Sequence, residues 1–143
     1  MIDHQEVHLA LRNRMLTASG LPSGTNHALE NRTFTPSGTP YIEEDFVPAT
    51  SARIAFPRGT IEDTGLYVVK WYGLANTGIA AIRAGVKAIL AVFAPGWGMT
   101  LGSGDVLRVE NNPAPWPGQI LPQPNGFAVC TITIPWRCQS PGS

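Results

Sequence analysis

Residues 65–74 read GLYVVKWYGL and residues 79–93 read IAAIRAGVKAILAVF, and these two stretches decide the fold. The first is dense in β-branched and aromatic residues, which favour a strand. In the second, apolar residues recur every three or four positions, which predicts a helix over residues 78–93 with a single core-facing stripe. The stripe consists of Ile79, Ile82, Val86, Ile89 and Phe93.

A second helix is predicted over residues 2–18, and it carries two apolar stripes instead of one. The first stripe repeats every seven residues and consists of Ile2, Leu9 and Leu16. The second repeats every four residues on roughly the opposite side and consists of Val7, Leu11 and Met15. One stripe is expected to cover a sheet, and the second stripe is our candidate for contact with a neighbouring subunit. The alternative is a helix buried on both sides within one domain.

The remaining predicted strands cover residues 41–47, 97–101, 105–110 and 126–137, with a short one at residues 27–31. The order of helix, strands, helix and strands indicates an α+β fold, in one domain that spans the whole chain. Because adjacent strands can pair as hairpins, we expect a mixed or antiparallel sheet with both helices packed on one face.

Two segments between these elements are rich in proline or small polar residues. Residues 48–64 are predicted to form a long loop or a protruding hairpin, and Ile54 and Phe56 within it are interface candidates. Residues 111–125 contain five prolines and are predicted to be a surface loop. Trp116 in this loop is a further interface candidate, because tryptophan is enriched at protein interfaces.

The composition favours assembly over nucleic-acid binding. Charged residues make up 14% of the chain, against about 25% in ordinary soluble domains, so part of the surface is expected to be covered by other subunits. A loop-rich monomer is the alternative, since the chain has 13 Pro and 15 Gly. A net charge of zero argues against specific DNA binding. No apolar run reaches the length of a membrane span.

The residues that could carry chemistry form no convincing site. His4 and His8 share one helix face but lack a third ligand, so solvated histidines are favoured over a metal site. The acidic run Glu43–Asp45 is interpreted as a solvated strand end, with an acidic channel lining as an alternative. Cys130 and Cys138 flank one strand, too far apart for a disulfide, and are predicted to be free thiols. We therefore assign no catalytic, cofactor-binding or metal-ligating residue.

An ordered set of short motifs resembles the small tail terminator proteins of long-tailed bacteriophages and of related gene-transfer particles. Each motif is weak alone, but together they cover nearly the whole chain. The motifs are residues 29–36, 40–42, 65–69, Gly78, the helix ending at Phe93, and residues 102–109 and 129–137.

This resemblance implies a structural virion protein that is not an enzyme and uses no cofactor. It implies a ring, expected to be hexameric, that caps the tail tube, stops its polymerisation and offers a docking surface to the head and neck. The implied partners are copies of the chain, the major tail tube protein and the head–tail connector or neck proteins. The implied place is the head-proximal end of the tail, after assembly in the cytoplasm of the bacterial host.

DNA would pass through the lumen of such a ring without specific binding. Acidic side chains suit a channel of that kind, and Glu62 and Asp63 are our lumen candidates. Two alternatives stay open at this stage. One is another head–tail joining or tail-completion protein, and the other is a monomeric binding module that uses its tryptophans.

Overall fold

The computed structural model describes residues 2–22, 27–28, 40–53, 61–74, 79–123 and 126–140 of the 143-residue chain. Two helices and seven strands form an α+β fold, which confirms the predicted class. The helices are α1 (His4–Met15) and α2 (Ala80–Val92). The strands are β1 (His27–Ala28), β2 (Tyr41–Arg53), β3 (Ile61–Leu74), β4 (Gly98–Thr100), β5 (Val106–Val109), β6 (Trp116–Pro122) and β7 (Phe127–Ser140).

The strands form one mixed sheet in the order β1-β2-β3-β7-β5-β4. Only β1 and β2 pair in parallel, and all other pairs are antiparallel. The centre of the sheet is the pair of β3 and β7, which are in register from Ile61 opposite Ser140 to Leu74 opposite Phe127. The other side of β7 is shared, because β5 pairs with its C-terminal half and β6 with its N-terminal half.

Both helices pack on the same face of this sheet, as predicted. Every second residue of β3 from Asp63 to Gly73 is buried, which places this series on the covered face. Helix α1 lies over one end of the series, where His4 contacts Asp63. Helix α2 lies over the other end, against Gly73.

Glycine allows α2 to approach the sheet closely. A Cβ atom on Gly85 would overlap the indole of Trp71, and one on Gly73 would overlap the side chain of Ile82. The predicted stripe of α2 faces the core from Ile82 to Phe93. Ile79 is the exception, because it lies at the N-cap before the first helical turn and its side chain is exposed.

The segment 48–64 follows the hairpin alternative where the structure describes it. Strands β2 and β3 continue through both sides of it and pair as far as Arg53 opposite Ile61. The tip, residues 54–60, contains the interface candidates Ile54 and Phe56 and lies outside the described residues.

The prediction of a surface loop over residues 111–125 is wrong for its central part. Trp116–Pro122 forms β6, which pairs with β7 through a register shift between Pro117 and Ile120. Proline removes a backbone donor, so it is excluded from central strands but is compatible with an edge strand or a bulge. Every residue of the strand except Ile120 is exposed, as expected for an edge strand.

Candidate assembly surfaces

The apolar stripe of α1 that was expected to contact a neighbour is buried in the core. Val7, Leu11 and Met15 are completely buried in the core of the single chain. They therefore offer no surface to a neighbour, and their assignment as interface residues is wrong. In the other stripe Ile2 is buried as well, whereas Leu9 and Leu16 are exposed. The outward side of α1 thus carries two large apolar side chains.

A buried polar cluster explains which side of α1 faces the sheet. The Glu44 side chain on β2 is completely buried, and one of its oxygens accepts a hydrogen bond from Arg12 Nε at 2.7 Å. Its second oxygen accepts a hydrogen bond from the Tyr67 hydroxyl, and His8 Nε2 lies 3.2 Å from the first oxygen. Arg12 and His8 lie on the same side of α1 as the buried stripe, so the cluster and the stripe fix one orientation of the helix.

The Glu44 carboxylate stays charged despite its burial. Burial alone raises the pKa of a carboxyl group. Hydrogen bonds from Arg12 and Tyr67, together with the charge of Arg12 and the electrostatic effect of His8, outweigh this effect and hold the pKa of Glu44 below its usual value. The interpretation of this acidic run as a solvated strand end is therefore wrong for Glu44. It holds for Glu43 and Asp45, which face the other side of the sheet and lie 3.5 and 3.9 Å from Lys70 Nζ.

The two lumen candidates point to opposite faces of the sheet. Asp63 is buried under α1, with Oδ2 2.7 Å from His4 Nε2, so it cannot line a lumen in this conformation. Glu62 lies on the uncovered face, where it accepts a hydrogen bond from Gln139 Nε2 at 2.9 Å and lies 3.6 Å from Arg137. His4 and His8 were predicted to be solvated. This is wrong for His8, which is buried beside Glu44, whereas the His4 side chain pairs with Asp63 and remains 43% exposed.

Trp116 is the interface candidate whose exposure agrees with its predicted role. It begins β6 with 42% of its surface accessible, on the face of the sheet away from the helices, opposite Thr133. Further along the same face of β6, Leu121 is also exposed. The edge strand β6 therefore presents two large apolar side chains on one side.

On its other side, β6 forms a groove of about 660 Å³ with α2, which we call the α2–β6 groove. Its apolar lining includes Ile79, Leu90 and Ile120. The exposed cations Arg83 and Lys87 also line it. Within the described ranges, neither of these two side chains forms an ion pair or a hydrogen bond.

No arrangement typical of a metal or membrane site is found in the described part of the chain. There, no three His, Cys, Asp or Glu side chains are placed to hold a metal ion. Neither α1 nor α2, the two described helices, has the length and apolarity needed to cross a bilayer. Cys130 and Cys138 are both free, as predicted, and both are buried.

The family of this sequence shows what kind of protein carries these surfaces. The family described as phage tail terminator protein matches residues 6–136, which is most of the chain. The chain belongs to this family. A tail terminator is a structural protein of the phage tail, so the resemblance found in the sequence is confirmed.

Solved structures agree with this fold. A solved chain whose name carries no function superposes on this chain with a TM-score of 0.74 at 19% identity, over all of both chains. A chain of the virion of a native gene transfer agent particle superposes with a TM-score of 0.66 at 14% identity. That alignment covers 96% of this tail terminator and 97% of the other chain. No curated protein sequence matches this one.

The sequence did not reveal two structural features of this tail terminator. The first is the pairing of Glu44 with Arg12, which are 32 positions apart and show no local signal. The second is the α2–β6 groove, because β6 was taken for a loop. Alternation along β3 could have identified the burial of Asp63, since it shares a strand face with Tyr67 and Trp71.

Proposed function

We propose that this protein forms a closed ring of identical subunits, six in number, that caps the tail tube of a phage or phage-derived particle. Membership of the tail terminator family over residues 6–136 carries the proposal. The exposed apolar side chains support it, because a small chain with few charges gains stability when neighbours cover them. They are Leu9, Leu16, Val47, Ile79, Met99, Trp116 and Leu121.

A closed ring of one kind of subunit needs two different patches that complement each other. The exposed apolar residues suit this requirement because they lie on separate elements. Leu9 and Leu16 are on α1, Val47 is on β2, and Trp116 and Leu121 are on β6. A chain of this kind can therefore contact one neighbour with one side and the next neighbour with another.

The capping role follows from such a ring. One ring face binds the last ring of the major tail tube protein and offers no further site for that protein, so polymerisation stops. The opposite face is left as a docking surface for the head–tail connector or neck proteins. The ring thus occupies the head-proximal end of the tail, after assembly in the host cytoplasm. DNA passes through the lumen without specific binding, and Glu62 remains the lumen candidate.

The test mixes the purified protein with polymerising tail tube protein and measures tube lengths by negative-stain electron microscopy. A terminator shortens the tubes in proportion to the amount added and appears as an extra ring at one end. The double variant Leu9→Lys with Leu16→Lys replaces two exposed apolar side chains and leaves the core unchanged. It therefore tests this surface of α1 without disturbing the fold. A protein that binds at the opposite end of the tube, or leaves tube length unchanged at saturating concentration, contradicts the proposal.

A further inference from the structure

The α2–β6 groove is positively charged as well as apolar. Among the described residues that line it, Arg83 and Lys87 are the only ionisable side chains apart from the thiol of Cys130, and neither α2 nor β6 contains an acidic residue. Among the described residues, no carboxylate pairs with either cation. A partner that fills this groove therefore has to bring apolar and acidic side chains together.

The same chain carries such a surface on β2. Glu43, Asp45 and Val47 alternate along the strand, so their side chains share the face away from the helices. Val47 is 46% exposed, and the side chains of Glu43 and Asp45 are 36% and 50% exposed. Of the described cations, Lys70 alone pairs with these two carboxylates, at 3.5 and 3.9 Å, so Glu43, Asp45 and Lys70 together keep a net negative charge. We call Glu43, Asp45 and Val47 the acidic margin.

The groove and the margin lie on opposite sides of the sheet centre. In the strand order, β2 flanks β3 and β6 flanks β7, so three strand spacings, roughly 14 Å, separate β2 from β6 within one chain. The two surfaces therefore cannot meet in one subunit. Between successive subunits of a ring, however, two different surfaces on opposite sides are what a head-to-tail contact needs.

We propose that the α2–β6 groove receives the acidic margin of a second copy of this chain, and that this contact closes the ring. The inference rests on the proposed ring and names the residues of its subunit interface. Arg83 and Lys87 contact Glu43 and Asp45 of the neighbouring copy, and Val47 of that copy packs against the apolar lining.

A copy of the chain fits the groove because both halves of the contact have the required chemistry. The margin supplies two carboxylates and an exposed aliphatic side chain. The groove supplies two cationic side chains and an apolar lining. The whole chain has 10 basic and 10 acidic residues, so a separation of charge into two complementary patches leaves the ring uncharged. Contacts of this type set partner choice and orientation through electrostatic complementarity.

Charge exchange provides the test. The first variant, Arg83→Glu with Lys87→Glu, reverses the groove, and the second, Glu43→Lys with Asp45→Lys, reverses the margin. Arg108→Glu is the matched control, because Arg108 is also an exposed cation but lies on β5, outside the groove. Circular dichroism and thermal unfolding first establish that each variant keeps the fold. Ring formation is then measured by light scattering in solution and by electron microscopy on tubes.

Each reversed variant alone is expected to need at least about tenfold more protein than the wild type to form rings, since attraction becomes repulsion at two charges. The wild type and Arg108→Glu form rings alike. An equimolar mixture of the two reversed variants recovers rings of alternating subunits, because each reversed groove then meets a reversed margin. High salt weakens wild-type assembly as it screens these charges.

Four outcomes overturn the inference, and the last also overturns the proposed function. If the groove variant forms rings at wild-type concentrations, the groove is not the subunit interface, although the ring itself stands. If rings persist but tube binding is lost, the groove belongs to the tube or neck partner. If the mixture fails to recover rings while both variants stay folded, the two patches do not contact each other. A wild type without rings both in solution and on tubes refutes the proposed function together with this inference.

Discussion

Replacement of Glu44 by Gln tests whether the buried polar cluster holds α1 on the sheet. The amide keeps the size of the side chain but removes its charge. Arg12 then loses the carboxylate that accepts its Nε–H bond at 2.7 Å, although its side chain remains only 12% exposed. The Tyr67 hydroxyl donates to the other carboxylate oxygen, and His8 Nε2 lies beside the first. An amide has only one acceptor oxygen, so one of the two positions is taken by an NH₂ group that cannot accept a hydrogen bond.

The expected loss follows from the position of the cluster. Removal of one partner from a buried ion pair costs about 3–5 kcal/mol, because the remaining charge is left in an apolar surrounding. We expect a value near 3 kcal/mol, since the partial exposure of Arg12 lets water reach its guanidinium. For a domain of this size that corresponds to a fall in melting temperature of roughly 10 °C.

The assay is urea unfolding followed by tryptophan fluorescence at pH 7.5, at concentrations where the protein is monomeric. Glu43→Gln is the matched control, because it makes the same chemical change on the adjacent, exposed residue and is expected to alter the free energy of unfolding by less than about 0.5 kcal/mol. A loss below 1 kcal/mol for Glu44→Gln, or equal losses for both variants, would refute the role of the cluster.

The same cluster predicts a pH dependence of stability. The pKa of Glu44 is lowered in the folded chain by Arg12, Tyr67 and His8 in excess of the opposing effect of burial. A lowered pKa means that the unfolded chain binds the proton more readily, so the stabilisation is complete above the unfolded pKa of about 4.5. It is lost as the pH falls through the folded pKa. The wild type should therefore lose more stability than Glu44→Gln between pH 5 and pH 3, within the range of carboxyl titration.

Three further predictions concern packing and thiol chemistry. Leu11→Ala should lower the free energy of unfolding by about 2–5 kcal/mol in thermal or urea unfolding, whereas Leu9→Ala on the exposed stripe should leave it within about 0.5 kcal/mol. Gly85→Ala should lower it by about 1–3 kcal/mol despite the better helix propensity of alanine, because the added methyl overlaps Trp71. Burial and nearby carboxylates raise the pKa of Cys138 to about 12, so its thiol should resist alkylation at pH 8 until the chain is unfolded, as followed by mass spectrometry.

Each of these has an outcome that contradicts it. Equal losses for the two leucine variants would mean that α1 is not oriented as described. Gly118→Ala is the control for Gly85→Ala, because its methyl would meet only the backbone oxygen of Thr131 at 3.4 Å, and an equal loss at both positions would remove the packing explanation. Rapid alkylation of Cys138 in the native protein would show that its thiol is accessible.

Local sequence patterns correctly predicted the elements that have a single buried side. Strand β3 and helix α2 each have a single clear period, so the sequence identifies both the element and its buried side. Helix α1 has apolar stripes on two sides, and its orientation depends on Arg12 meeting Glu44, which is far away along the chain. The periodicity of a single segment carries no information about a contact with a distant residue. The buried stripe was therefore assigned to the interface.

The assembly surfaces were less predictable because they depend on strand neighbours. The prolines of Trp116–Pro122 indicate a loop when the segment is considered alone, but they are tolerated because β6 lies at an edge. Only after β6 is placed beside β7 does the groove with α2 exist. The surface that Arg83 and Lys87 of α2 share with β6 could not be seen in the sequence.

The mass of the particle formed at the end of a capped tube tests the central claim most directly. Native mass spectrometry of the released cap, or image analysis of the end ring, counts the subunits. The account predicts a closed ring of about six times the 15.3-kDa mass of one chain, with identical contacts between successive copies. A cap made of a single copy, or an open assembly without rotational symmetry, would contradict it.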